Sequence, residues 1–297
     1  MLDLTVIILT YNEEKNLPAC LESLQSIPAH IFVVDSFSTD GTIGLLKEKN
    51  IKYVQHSFIN YSIQRNWSQS NDPFQSSWVL HLDADERLSG ELRDWLIHDF
   101  SSYKEVDGFI FSRRAVFMDK WIRYGGHYPN RFLKLYKKAS GKCEDKAYDQ
   151  HFICEGKKAI IPHKDVINIL SDNLGRFIDR HNTWSLMEAI EILKQEKSGE
   201  VKSSLSGNPI ERKRWMKNNL FEKLPLFLRS FFYFTYRYIF RLGFLDGRQG
   251  LIFHVLQGFW FRFLVDAKVY EIKKEMKETK MPLEVILKNK YGFGNDG

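Results

Sequence analysis

The sequence predicts an α/β fold in which a mostly parallel central sheet is flanked by helices and followed by a helical C-terminal extension. Short apolar runs at residues 4–9, 31–34 and 78–82 are typical of strands buried on both faces of a parallel sheet. Segments with helical spacing lie between these runs, as in right-handed strand-helix-strand units. Each run ends abruptly in polar residues, and ligands of such sheets bind beyond the carboxyl ends of the strands.

The first half of the chain alternates strands with helices. After the strand at 4–9, Asn12 is a predicted helix N-cap, and apolar residues recur at helical spacing through residues 17–24. The strand at 31–34 follows. The further predicted elements are a short helix around 43–46, strands at 51–54 and 78–82, and a helix at 61–69.

The second half is predicted to hold further strands and then helices. A helix is expected at 91–100, and residues 108–113 and 131–136 alternate with period two, which favours strands. The loop at 124–130 either contributes to an acceptor pocket or is ordinary turn chemistry. We expect a catalytic domain over residues 1–165 and a helical region over 166–297.

Polar clusters follow three of the predicted strands. They are residues 10–13, Asp35 and Ser36 with Asp40, and the pair Asp83 and Asp85. Each cluster alone is explained by capping and turns, but their convergence on one sheet edge favours a binding crevice. Two carboxylates one residue apart suit a hard cation, Mn²⁺ or Mg²⁺, which also binds substrate phosphates. No glycine-rich phosphate loop follows these strands, which excludes the usual NAD and P-loop sites.

A second acidic cluster lies at residues 144–151, far from the first in sequence. If it folds over the sheet edge, one of its carboxylates can serve as a general base, and the alternative is a solvated acidic loop. Three widely spaced cysteines suit a reducing compartment. A zinc site made of Cys143, His151 and Cys154 lacks a fourth ligand at the usual spacing.

The C-terminal part is basic and aromatic. Residues 201–280 carry 16 Lys and Arg against 7 Asp and Glu, a balance of +9 that leaves −3 for the rest of the +6 total. Arg229, Arg237 and Arg241 share one side of a predicted amphipathic helix that faces an anionic membrane. The longest uncharged run, 249–261, is 13 residues and too short to span a bilayer. The alternative is a helical subdomain packed on the core; a nucleic-acid partner is not expected.

Together these residues resemble family 2 inverting glycosyltransferases of the GT-A fold. The similarity rests on the ordered motifs at 10–14, 33–42 and 82–87, and within the family it is greatest to bacterial enzymes that add glucose or related sugars to lipopolysaccharide core. Further similarity lies in motifs at 64–66, 148–151, 180–182 and 242–248, so it covers nearly the whole chain.

The resemblance implies roles for individual residues. Asp85 is the expected direct metal ligand and Asp83 lies nearer the ribose and phosphate, while Arg65 lies near the diphosphate. Asp149 is the expected general base, with Glu144 and Asp145 as alternatives, because this chain departs from the family pattern there; His163 aligns with a family histidine that approaches the metal or diphosphate. The residues expected to bind the donor are Thr10, Tyr11, Asn12, Glu13, Asp35, Ser36, Arg65, Asp83 and Ala84.

The sequence therefore predicts a metal-dependent, inverting transfer of a hexose, first of all glucose, from a UDP-sugar. The expected acceptor is lipopolysaccharide core or another lipid-linked glycan. The alternatives are a sugar nucleotidyltransferase and a non-catalytic UDP-binding protein of the membrane surface. Without a recognisable signal peptide, the chain is expected in the cytoplasm, peripheral on the inner face of the membrane.

Overall fold

A computed structural model describes residues 1–146, 150–170, 173–194, 204–221 and 223–292. Within them a nine-stranded sheet has the order β3-β2-β1-β4-β8-β6-β11-β5, with β7 paired to β6, and β9 and β10 form a separate hairpin. The strands are β1 Leu4–Thr10, β2 His30–Asp35, β3 Lys52–Gln55, β4 Trp78–Asp83, β5 Glu86–Leu88, β6 Gly108–Phe117, β7 Lys120–Ile122, β8 Asn130–Lys137, β9 Gly141–Cys143, β10 Phe152–Cys154 and β11 Lys158–Ile169.

Helices flank this sheet and form the C-terminal region. A π-helical turn at Tyr236–Phe240 extends α7, and another at His254–Trp260 joins α8 to α9. The α-helices are α1 Leu17–Glu22, α2 Thr42–Glu48, α3 Tyr61–Ser70, α4 Gly90–His98, α5 Leu174–Lys194, α6 Pro209–Met216, α7 Leu228–Thr235, α8 Gly247–Phe253, α9 Phe261–Thr279 and α10 Leu283–Tyr291. The shorter turns are Phe100–Ser102 and Gly243–Asp246, both 3₁₀-helical, and Lys217–Phe221, which is π-helical.

The parallel part of the sheet confirms the predicted strand-helix alternation. β1 pairs in parallel with both β2 and β4, and β2 with β3. Thr10 lies opposite Asp35 on one side of β1, and Leu9 lies opposite Asp83 on the other. The three polar clusters therefore begin at one level of the sheet, because the apolar runs before them are buried in register.

The other part of the sheet is mixed. β8 runs antiparallel to β4 and to β6, whereas β11 is parallel to β6. Because β8 is antiparallel to β4, the loop preceding Asn130 lies at the edge where β4 ends. β11 is irregular between Ile160 and Asp165 and continues to Ile169, so the sheet extends beyond the boundary predicted at residue 165.

The prediction that Asn12 caps the first helix is wrong. α1 begins at Leu17 after Asn16, and Asn12 has a φ of 54°, outside the helical region. Its side-chain oxygen instead accepts a hydrogen bond from the Thr39 backbone N–H at 2.8 Å. Asn tolerates left-handed backbone better than most residues, which suits it to this turn.

The structure shows which face of the predicted amphipathic C-terminal helix is buried. Arg229 and Arg237 on α7 and its π-helical extension are buried, at 3% and 6% exposure. Arg229 pairs with Asp266 of α9, with Nε 2.7 Å from Oδ1, and Arg237 Nε donates to the Gly125 carbonyl at 2.7 Å. The Asp266 carboxylate and the Gly125 carbonyl compensate the cost of burying the two guanidinium groups. With the arginine side of the helix buried, apolar side chains such as Phe231 and Phe240 are exposed.

The C-terminal helices have their own apolar clusters. α5 packs against α9 through residues that include Ala189, Val265 and Val269, and α10 closes a second cluster with Ile190 and Ile272. None of the helices in the described parts of the chain combines the length and the apolar character needed to cross a membrane.

Candidate functional site

The three polar clusters meet at one edge of the sheet, as the sequence predicts. Thr10 Oγ1 donates to Asp35 Oδ1 at 3.1 Å, which joins the ends of β1 and β2. Gln64 on α3 donates to Ser36 Oγ at 3.2 Å, and the next residue, Arg65, reaches Asp83 at the end of β4. Side chains from β1, β2, α3 and β4 thus form one hydrogen-bonded surface.

Asp35 forms the buried floor of this surface. It is fully buried, and its carboxylate accepts hydrogen bonds from Thr10, from the backbone N–H and hydroxyl of Ser38, and from Gln55 Nε2 at 3.1 Å. Four donors satisfy both oxygens and thereby compensate the loss of hydration that burial of this side chain entails. Asp35 therefore shapes the crevice in which Ser36 presents its hydroxyl.

Two loops that carry predicted donor-binding residues hold each other. The Asn12 N–H donates to Ser38 Oγ at 2.8 Å, and the Glu13 N–H donates to Thr42 Oγ1 at 2.9 Å. Tyr11 between β1 and these contacts is 60% exposed, so its ring is open to a ligand. The two hydrogen bonds from Asn12 and Glu13 join the motifs at 10–14 and 33–42 into one structural unit.

Asp83 is held by two cations. Arg65 lies 3.1 Å from Oδ1, and Lys134 of β8 lies 3.3 Å from Oδ2. Burial alone would raise the pKa of Asp83, but the Lys134 ammonium and the Arg65 guanidinium outweigh it and hold that pKa well below its usual range. Ala84, in contrast, is buried with its side chain in the core, so only its backbone can face a donor.

Asp85 is in a different electrostatic position. Asn168 Nδ2 lies 3.3 Å from Oδ1, and the Arg180 guanidinium is 3.6 Å from Oδ2. Burial, together with the negative charges of Asp83 and Glu86, raises the pKa of Asp85 to about 7. A carboxylate short of positive charge beside a second carboxylate fits a divalent cation, which would relieve the repulsion.

The donor set also indicates the kind of metal site. Among the residues that the structure describes, no three His, Cys, Asp or Glu side chains are grouped as metal ligands. An ion at Asp85 and Asp83 would complete its shell with water and substrate oxygens, as Mg²⁺ does at phosphate-binding sites.

Several residues of the site had no role in the sequence analysis. Glu86, the third acidic residue at the end of β4, is fully buried and accepts hydrogen bonds from Arg113 at 3.0 Å and from Lys134. Because Lys134 also pairs with Asp83, Glu86 helps to position that lysine. Lys134 had a sequence signal, because it shares one face of a predicted strand with Phe132 and Tyr136. Arg180 belongs to the motif at 180–182, to which the sequence assigned no role, and Asn168 had no signal. Their position beside Asp85 depends on how β11 and α5 return to the sheet edge.

The acidic cluster at 144–151 is partly described. Asp149 lies outside the described residues, and Asp145 is exposed. Glu144 is fully buried and bound by both terminal nitrogens of Arg214, at 3.0 and 2.8 Å. Burial opposes its ionisation, yet hydrogen bonds from His151 and Arg214 lower the pKa of Glu144 to about 2. Such a group is a poor proton acceptor.

His163 lies within β11. It lies exposed at the irregular turn of β11, with a φ of 58°. Asp165, two residues later, turns inward and accepts from Arg114 Nε at 2.6 Å and from the Tyr128 hydroxyl at 3.1 Å. Asp165, and not His163, is therefore the buried polar residue of this segment.

The sequence of this chain is similar to those of known glycosyltransferases. The chain is 28% identical over 278 residues to the lipopolysaccharide core biosynthesis glycosyltransferase LpsC of Rhizobium meliloti, covering 91% of this chain and 93% of that protein. It is 33% identical over 120 residues to the uncharacterized glycosyltransferase RC0292 of Rickettsia conorii, covering 39% of this chain and 41% of that one.

Two solved structures also match the chain, at low sequence identity. The crystal structure of Staphylococcus aureus TarS 1-349 in complex with UDP-GlcNAc covers 95% of this chain and 93% of that one, at 14% identity and a TM-score of 0.42. The glucosyl-3-phosphoglycerate synthase of Mycobacterium tuberculosis, solved with Mn²⁺, UDP and phosphoglyceric acid, covers 38% of this chain and 43% of that one, at 15% identity and a TM-score of 0.32.

A family model spans the part of the chain that contains all three polar clusters. The model described as glycosyl transferase family 2 matches residues 5–161, from β1 into β11 and through Asp35, Asp83 and Asp85. With the predicted sheet and strand-end clusters present in the structure, this chain belongs to glycosyl transferase family 2.

Proposed function

We propose that this glycosyltransferase moves a hexose, first of all glucose, from a UDP-sugar to a lipopolysaccharide core or other lipid-linked glycan, with inversion and with Mn²⁺ or Mg²⁺. The observation that carries the proposal is the register of the three strand ends, in which Thr10 lies opposite Asp35 of β2 and the neighbouring Leu9 lies opposite Asp83 of β4. This register supports a single elongated donor site, with the nucleoside at β1 and β2 and the diphosphate at β4.

The nucleoside would occupy the surface built by the two interlocked loops. Tyr11 offers an exposed ring for stacking, while Thr10, Asn12, Glu13, Asp35 and Ser36 surround it with polar groups. Buried polar groups that are already oriented discriminate strongly between bases, because a wrong base leaves them unpaired. Uracil specificity would follow from this arrangement.

The diphosphate would lie beside the cations at β4. Arg65 is positioned by Asp83, and its guanidinium carbon lies 5.0 Å from the Phe152 ring centre and 5.3 Å from that of Tyr61. Arg180 of α5 reaches the same edge beside Asp85. Positive groups held in place stabilise the negative charge that develops on the departing diphosphate.

The divalent ion would be held by Asp85 and, secondarily, by Asp83. When bound, it supplies positive charge to the leaving UDP. Asp85 binds it as the ionised carboxylate, so a proton and the ion compete for this side chain.

The acceptor side of the reaction would use the segment at 144–151. An inverting transfer needs a base opposite the leaving group to take the acceptor hydroxyl proton. Asp149 is our proposal for that base, with Asp145 as the alternative, because Glu144 is bound by Arg214. The role of Glu144 would be to hold one end of the segment in place.

The acceptor class rests on similarity to a named relative. LpsC, which matches over most of both chains, is described as a lipopolysaccharide core biosynthesis glycosyltransferase. An acceptor of that kind resides in a membrane, so we place the protein in the cytoplasm, peripheral on the inner face of an anionic membrane. The sugar nucleotidyltransferase alternative is set aside because the matched family consists of glycosyl transferases.

Calorimetric titration tests the donor assignment. UDP, UDP-glucose and other UDP-sugars are titrated into the purified protein with Mn²⁺ and then with EDTA. Binding of UDP-sugars that requires the metal is expected, and absence of binding under both conditions would contradict the donor site. The non-catalytic alternative is separated by incubating the protein with radiolabelled UDP-glucose and core glycolipid: binding without any labelled glycolipid would favour it.

A further inference from the structure

The C-terminal region presents an apolar surface that nothing in the described structure covers. We call residues 227–248 the aromatic lobe; it comprises α7, its π-helical extension and the turn that follows. Phe240 at its tip is 73% exposed and Phe231 on α7 is 57% exposed. The side chains used below are Phe231, Phe232, Ile239, Phe240, Phe244 and Leu245, all of them exposed. Large contiguous apolar surfaces of this kind mark interaction sites.

The charges of the lobe have one sign at its surface. Asp246 is the single acidic residue between positions 224 and 265, and it is buried at 2% exposure. Arg241 and Arg248, which flank the tip, are both exposed. The surface therefore combines outward aromatic and aliphatic side chains with cations and without an exposed carboxylate. This combination favours the interface of an anionic lipid bilayer.

The buried polar groups of the lobe hold the loop at 123–129, which connects β7 to β8. Asp246 accepts hydrogen bonds from the backbone N–H groups of Arg123 at 3.1 Å and Tyr124 at 2.9 Å. Arg237 donates to the Gly125 carbonyl at 2.7 Å, and the Gly125 N–H donates to the Arg241 carbonyl at 2.9 Å. Gly125 has a φ of 67°, and a Cβ there would lie 2.1 Å from His254 Cε1, so the contact requires glycine.

This loop leads directly to the candidate active site. It precedes β8, which begins at the edge where β4 ends, and Tyr128 at its end donates to Asp165 at 3.1 Å. Arg113, which lies opposite Asn130 in the sheet, supports Glu86 beneath Asp83. The lobe, the loop and the sheet edge thus form one continuous, hydrogen-bonded path.

We propose that the aromatic lobe inserts into the headgroup region of an anionic bilayer and holds the loop at 123–129 against the membrane as the entry for a lipid-linked acceptor. The proposal rests on the proposed function and names the surface through which the acceptor arrives. Pairing with a second copy of the chain is disfavoured, because it brings Arg241 and Arg248 of two lobes close together without carboxylates between them.

Vesicle sedimentation of the full chain tests the surface. We expect binding to vesicles of phosphatidylcholine with phosphatidylglycerol and at least tenfold weaker binding to phosphatidylcholine alone. Phe240→Asp should weaken the anionic-vesicle binding at least tenfold, and Arg241→Gln with Arg248→Gln should remove the lipid-charge preference. Met281→Asp, which changes an exposed apolar residue outside the lobe, is the matched control and should bind like the wild type.

Other outcomes of this experiment overturn the proposal. One is wild-type protein that stays in the supernatant with both vesicles; another is Phe240→Asp protein that sediments like the control. A concentration-dependent dimer that Phe240→Asp dissolves, seen by light scattering, would assign the surface to a second copy instead. UDP titration of the wild-type protein separates the two hypotheses: absent UDP binding with intact sedimentation would count against the donor site alone.

Hydrogen exchange tests the coupling between lobe and loop. With anionic vesicles added, peptides covering 236–248 and 123–129 should both exchange more slowly, because Asp246 and Arg237 link them. Asp246→Asn replaces a charged acceptor by a neutral one and should preserve protection of the lobe while lowering that of the loop. Protection of the lobe with no change in the wild-type loop would overturn the coupling; Asp246→Ser is a second variant if the first is unstable.

Discussion

The Arg65 guanidinium on α3 lies 3.1 Å from Oδ1 of Asp83 at the end of β4, and Lys134 lies 3.3 Å from the other oxygen. The first aspartate of the acidic pair is therefore already neutralised by the protein. The second aspartate, Asp85, has only the Arg180 guanidinium at 3.6 Å and Asn168 as described partners. This asymmetry distinguishes two residues that look equivalent in sequence: Asp83 is held by two cations, and Asp85 is the carboxylate that we propose as the metal ligand.

Arg65→Ala should weaken UDP binding about 10- to 100-fold, because a hydrogen bond to a charged group contributes roughly 1.5–3 kcal/mol. Titration of uridine, which lacks the diphosphate, should change little. Arg93→Ala, which removes a partly exposed arginine on α4, is the control. An equal loss for uridine and UDP would place Arg65 in the nucleoside pocket instead.

Asp85→Ala should abolish the part of the UDP affinity that depends on Mn²⁺, since the carboxylate would be the direct metal ligand. Calorimetry with and without EDTA measures that part. Asp94→Ala removes an exposed carboxylate on the next helix and should leave the metal effect intact. Full retention of the Mn²⁺ effect in Asp85→Ala would rule out the ligand role.

Asp149→Asn should lower the rate of glycosyl transfer by about 10² or more while donor binding stays near the wild-type value, because loss of a general base affects the chemical step. Asp145→Asn is the paired variant, and its smaller effect would distinguish the two candidates. The reverse order of effects would move the base to Asp145. Rates are measured with saturating UDP-sugar so that donor affinity does not enter.

The buried pair of Arg229 and Asp266 should be important for stability. Asp266→Ala leaves a buried guanidinium without its partner, which costs about 3–5 kcal/mol in the free energy of unfolding. Glu278→Ala breaks the exposed pair with Lys274 on α9 and should cost less than about 0.5 kcal/mol. Urea unfolding of both variants measures the difference, and similar costs would argue against burial of the pair.

The lowered pKa of Glu144 makes the free energy of unfolding depend on pH. Its pKa is lowered from 4.5 to about 2 in the folded chain, so its stabilising contribution is complete above pH 4.5 and is lost as the pH falls toward 2. Arg214→Gln removes the main cationic partner and should lower stability at pH 7. The gap between wild type and variant should narrow between pH 5 and 3, measured by urea unfolding; a constant gap would mean that Arg214 acts by packing alone.

Much of the fold could be predicted from the sequence. The apolar runs at 4–9, 31–34 and 78–82 became β1, β2 and β4, since a strand buried on both faces needs a continuous apolar run. The helix predicted at 61–69 is α3, and the strand ends converge as expected. Local patterns were misleading at Asn12, where the long-range bond to Thr39 replaced a helix cap.

By itself, the sequence determined the order of strands and helices, the sheet edge that carries Asp35, Asp83 and Asp85, and the likeness to glycosyltransferases, because hydrophobic periodicity and short motifs are local properties. Only the tertiary structure decided which charges are paired. Lys134 of β8 and Arg180 of α5 reach the acidic pair from elements that are distant in sequence. Arg229 points inward because it pairs with the buried Asp266 of α9. Helical spacing defines the two faces of α7, but the partner available inside the fold decides which face is buried.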